Sequence, residues 1–148
     1  MKSLKIGDKE YILEYSFEAA QHKDCVSKIF KMISGGYIGK QGITGESKVS
    51  KSELANALVN GTAEMYSEIP DTVISAFYAG LLENNPVTNV KQAKELLKKY
   101  FKDNPDDESA SFLGMFNLIK ECMQDDGFFK LTGMDKTLDK MMIESMKK

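Results

Sequence analysis

Glu18, His22 and Cys25 stand four and three residues apart, so on a single helix they would share one face. A carboxylate, an imidazole and a thiol aligned in this way could form a nucleophile relay or supply three ligands to a metal. The same face continues into Val26 and Ile29, however, and the chain holds no second histidine to complete such a centre. Packing is therefore the expected role of these side chains. The run GGYIGKQ, Gly35 to Gln41, approaches a phosphate-binding loop. Gly35 and Gly39 nevertheless enclose three residues where that loop needs four, and Lys40 is followed by Gln41 instead of a hydroxyl. The residues before it read as helix, not as the strand that a phosphate cradle requires. The acidic runs Asp103 to Glu108 and Asp125-Asp126 lack the alternating oxygen ligands and central glycine of a calcium loop. No catalytic residue, cofactor or metal ligand is expected, and the chain reads as a non-enzyme.

Elements able to hold these residues are bounded first by size and charge. A chain of 148 residues suits one domain and can bury a sizeable core without staples. Its net charge of -2 gives no long-range pull toward nucleic acid or an anionic membrane. All 20 basic residues are lysine, so there is no guanidinium fork with which to read guanine edges. Cys25 and Cys122 stand singly, which excludes a local zinc knuckle or redox pair and suits a reducing compartment. The opening MKSLKIGDKEY has no apolar core of signal-peptide length, and no later run reaches the length of a membrane span. A cytosolic protein is expected.

Leu4 and Ile6, then Tyr11, Leu13 and Tyr15, alternate with polar neighbours across Gly7-Asp8-Lys9, the pattern of a small hairpin. Such a hairpin is marginal alone, so its apolar side must lie on helices or on another copy, and its edge could pair across a subunit boundary. Ser16 is placed to cap a helix with Val26, Ile29, Phe30 and Ile33 inward and Cys25 and Met32 beside them, ending near Ser34. The glycine-rich stretch 34–50 reads as a loop, and Ser50 with Glu53 as a capping box. The helix that follows carries Leu54, Leu58, Thr62, Met65 and Ile69 on one side. Pro70-Asp71 signals a fresh start, after which Val73, Phe77 and Leu81 recur at helical spacing until Asn84-Asn85-Pro86. Thr88 is the expected cap of a helix bearing Val90, Ala93, Leu97 and Tyr100 or Phe101. The acidic residues after Pro105 mark another start, for a helix with Phe112, Met115, Phe116, Ile119, Cys122 and Met123 inward. Phe128 and Phe129 are expected to plug into the core.

The last stretch, from Met134, is amphipathic, with Met134, Leu138, Met141 and Met142 in line beside lysines. Methionine is unbranched and polarizable and adapts to irregular partners, so this stripe is the candidate partner-binding surface, with internal packing as the alternative. The expected fold class is mainly α: a single-domain helical bundle, 1–129, with a short N-terminal β-hairpin, followed by an amphipathic tail, 130–148.

The order of these pieces, a hairpin ending in Tyr-x-Leu, then Phe17-Glu18-Ala19-Ala20, Phe77-Tyr78-Ala79-Gly80-Leu81-Leu82, Val87-Thr88 and a closing Gly127-Phe128-Phe129, resembles the tail assembly chaperones of long-tailed bacteriophages or prophages of Gram-positive bacteria. The likeness runs from about Leu4 to Phe129; the glycine-rich segment and the tail depart from it. It implies a non-enzymatic role in virion morphogenesis, coating the tape measure protein and helping recruit major tail tube subunits. It further implies residence in the host bacterial cytoplasm and absence from the mature virion. Self-association is a further expectation; binding to nucleic acid or membrane is not. The contrasting reading is a helical adaptor that regulates or inhibits another protein.

Overall fold

A computed structural model of the protein describes residues 1–34 and 51–146, with the side chains at 51, 53, 54, 57, 58 and 142–146 outside the description. The glycine-rich loop and the Ser50–Glu53 capping box therefore lie outside the described residues. The fold is mainly helical with an N-terminal two-stranded antiparallel hairpin, as the periodicities predict. Strands β1 (Lys2–Ile6) and β2 (Lys9–Leu13) precede helices α1 (Phe17–Gln21), α2 (Lys23–Ile33), α3 (Lys51–Leu81), α4 (Val90–Asp103), α5 (Phe112–Asp125), α6 (Phe128–Thr132) and α7 (Met134–Met146). The helix α3 is the hub, packing on α1, α2, α4, α5 and β2.

Ile6 pairs with Lys9, leaving Gly7-Asp8 as a two-residue turn. Gly7 has φ 66° and no non-glycine residue among those described has positive φ, which matches the primed Gly-X turn whose twist suits the strands. This register puts Leu4, Ile6, Tyr11 and Leu13 on one face; all but Tyr11 are buried. The outer side of β2 is engaged within the chain. The Asn85 amide donates to the Ile12 carbonyl (2.8 Å) and accepts from the Ile12 N–H (3.2 Å), as a neighbouring strand would. One residue pair further on, the Glu14 N–H donates to the Gly80 carbonyl (2.9 Å). That side of β2 is thus occupied by Gly80 at the end of α3 and by Asn85 in the turn after it.

Four local expectations are corrected. Pro70 does not open a helix; α3 runs through it. A proline inside a helix costs about 3 kcal/mol or more by removing a rung and crowding the preceding turn. Burial of Ile69, Val73, Phe77 and Leu81 offsets this, each large apolar side chain contributing roughly 1.5–3 kcal/mol. Tyr66, whose carbonyl loses the donor, is exposed to water. Next, the helix expected after Ser16 breaks at His22, whose φ -82° and ψ 94° are extended. The Ser16 hydroxyl does not cap it but donates to Glu83 and Glu14. Of its stripe, Cys25, Ile29 and Met32 are buried and Val26, Phe30 and Ile33 half-buried.

The cap of α4 is Asn89, one residue after Thr88: Asn89 Oδ1 accepts from the Gln92 N–H (2.8 Å), while Gln92 Oε1 accepts from the Thr88 N–H (3.0 Å). Ala93, Leu97 and Tyr100 are buried, but Val90 is exposed. Finally, Asp106 to Glu108 do not begin α5. Its cap is Ser111, which accepts from the Gly114 N–H (3.0 Å). Asp107 instead folds a turn, its Oδ1 accepting from the N–H (2.9 Å) and hydroxyl (2.7 Å) of Ser109. Met115, Ile119, Cys122 and Met123 are buried, Phe116 is half-buried, and Phe112 sits at the rim, edge-on to Phe101. Phe128 is buried edge-on to Tyr15, and Phe129 is half-buried, as expected of a plug.

Candidate partner-docking surface

Glu18, His22 and Cys25 do not assemble a relay. Glu18 lies on α1 and Cys25 on α2, and His22 occupies the extended break between them. The His22 Nδ1 accepts from the Cys25 N–H (3.2 Å), so the imidazole caps α2, with its ring edge-on to Tyr78. Cys25 has no exposed surface, and burial, reinforced by the nearby Asp24 charge, pushes its thiol up to about 12. A thiol so protonated is a packed apolar group. Among the described residues no three His, Cys, Asp or Glu side chains converge as a metal site.

A polar knot ties the hairpin to the far end of the chain, and sequence reasoning missed it. Asp126, expected as a solvated flank, accepts from the Tyr15 N–H (2.9 Å) through Oδ2 and pairs with the Met1 ammonium through Oδ1. The Cys122 thiol lies 3.6 Å from both Asp126 Oδ2 and the Leu13 carbonyl, and burial together with the Asp126 charge pushes it up to about 11. The Tyr15 hydroxyl donates to the Ala76 carbonyl (2.8 Å), and burial raises its pKa well above the usual value. This knot is structural: its donors and acceptors are spent on one another. In the cleft between Lys2, Tyr100 and Glu121, Ser109 is bonded to both Asp107 and the Tyr100 hydroxyl (2.6 Å).

Among the described residues, exposed apolar side chains follow one another along two helices, α7 and the N-terminal half of α3. The α7 stripe changes character along its length: Met134 is buried against the bundle, Leu138 is half-buried and Met141 is 45% exposed. The Met142 side chain lies outside the described residues. Leu131, just ahead on α6, is also exposed. The second surface is on the N-terminal half of α3, where Val59 is 66% and Tyr66 51% exposed, with Thr62 and Ala63 between them. Thr62, expected inward, faces solvent, while Met65 and Ile69 turn toward the core. No charge occurs among the exposed described residues from Ala55 to Ser67. No helix among the described residues is long and apolar enough to cross a membrane.

Comparison of the chain with protein-family models, with curated proteins and with solved structures returns no match.

Proposed function

We propose that this protein is a non-enzymatic tail assembly chaperone that binds a tape measure protein and helps recruit major tail tube subunits in the host bacterial cytoplasm, leaving before the virion is complete. The observation that carries the reading is the graded stripe of α7. Met134 roots the helix in the core while Leu138 and Met141 present an adaptable apolar surface to a partner. A tape measure protein carries long apolar helical stripes, and a small helical domain with such a surface can cover them reversibly, helix against helix. The family resemblance from Leu4 to Phe129 supports the same reading. The interior chemistry is compatible with it, since the thiols and the imidazole are committed to packing and capping.

Co-expression with tape measure fragments tests it. Soluble fragment should increase with the intact chain and fall back with Met141→Glu, which alters an exposed position and leaves the core alone. If several fragments stay insoluble with the intact chain, the chaperone reading is overturned in favour of a helical adaptor acting on another protein.

A further inference from the structure

The exposed face of α3 continues the pattern of its buried one. Ala55, Val59, Thr62 and Tyr66 follow at steps of four, three and four, and the next steps of three, four and three reach Ile69, Val73 and Ala76, which are core residues. One side of one helix therefore packs inside the bundle over its C-terminal half and lies open over its N-terminal half. An alternation of threes and fours is the seam by which two helices pair.

We propose that the open seam of α3, Ala55, Val59, Thr62 and Tyr66, is the interface of an antiparallel homodimer, each α3 pairing with the α3 of a second copy of this chain. The absence of charge among the exposed described residues here argues against an acidic or basic partner. The seam is also complementary to itself. A two-fold axis at the height between Asn60 and Gly61 puts Tyr66 opposite Ala55 and Val59 opposite Thr62. The large Tyr66 thus meets the small Ala55 and Val59 meets the similarly shaped Thr62, and a single axis satisfies both layers. Turned parallel, the helices would set Tyr66 against Tyr66. The interface is small beside the roughly 20–30 residues a side of a standard one, so the dimer is reversible and concentration-dependent. This inference does not rest on the chaperone reading, because its test uses the purified chain alone.

Sedimentation equilibrium of the full chain, from about 10 μM to about 1 mM, should show the mass rising from one chain toward two. Val59→Lys should hold it at one chain with an unchanged circular dichroism spectrum, since Val59 is mostly exposed and plays no part in the core. For orientation, Ala55→Cys with Tyr66→Cys should oxidise to a covalent dimer and Ala55→Cys alone should not, the native Cys25 and Cys122 being buried. A chain that stays monomeric throughout, or a Val59→Lys variant that associates like the parent, overturns the interface. Efficient cross-linking by Ala55→Cys alone overturns the antiparallel arrangement.

Discussion

Gly114→Ala should destabilise this protein although it replaces a poor helix former by the best one. Gly114 is in the first turn of α5, and a Cβ there would lie 1.7 Å from the Glu108 carbonyl oxygen and 2.8 Å from its carbon. Both are backbone atoms, so no rotamer change relieves the clash. The Glu108 peptide would have to retreat by more than about 1 Å to reach ordinary contact. That peptide is pinned from both sides: Ser109 is bonded to Asp107 and to the Tyr100 hydroxyl, and the Ala110 N–H donates to the Asp107 carbonyl (3.0 Å). Overpacking costs about 1–3 kcal/mol, and each turn hydrogen bond broken in relieving it adds about 1 kcal/mol. Against this, alanine gains at most about 1 kcal/mol in helix propensity. The balance is a net loss of about 2–3 kcal/mol, or roughly 6–10 °C in Tm for a chain of this size. Thermal unfolding by far-UV circular dichroism, paired with a urea midpoint, reads it. Ser109→Ala, which frees the turn, should cost less in the Gly114→Ala background than in the parent. A Gly114→Ala protein with an unchanged or higher Tm would refute the reasoning, since propensity alone predicts that sign.

Three further outcomes follow from groups bonded or buried within the chain. With the Cys25 and Cys122 thiols pushed up to about 12 and about 11, the thiolate fractions at pH 8 are roughly one in ten thousand and one in a thousand, so native protein should react slowly with a disulfide reagent and denatured protein at once. Both folded values exceed the ordinary 9.0, so the folded state holds more protons than the unfolded one above that pH. The thiols' contribution to stability should then be level below about pH 9 and be lost as pH rises toward the folded values, and Cys25→Ala should flatten that decline, as Tm against pH will show. Asn85→Leu removes both bonds to Ile12 and should cost about 1–2 kcal/mol, with amide exchange at Ile12 accelerating by roughly tenfold; unchanged exchange would show that Asn85 does not hold the strand.

What the amino-acid sequence determined by itself is the set of elements whose signal is local. The Gly7-Asp8 turn, the inward positions Ala93, Leu97 and Tyr100, the inward positions Met115, Ile119, Cys122 and Met123, and the Phe128 plug all follow from side-chain period and turn chemistry within a few residues. The candidate stripe on α7 was legible in the same way, but how far along it burial extends was not, because period gives a direction and not a depth. Tertiary structure decided wherever a distant group outbid a local preference. Pro70 is carried inside α3 because the face around it is buried, and His22, its ring edge-on to the distant Tyr78, sits in an extended break where a helix was expected. Asn85 and Asp126, read locally as a breaker and a solvated flank, bond to Ile12 and Tyr15, which are 73 and 111 residues away in sequence. The open seam of α3 became visible only in three dimensions. Its residues carry the same period as the core residues that follow, and nothing in a linear pattern marks where the bundle stops covering them.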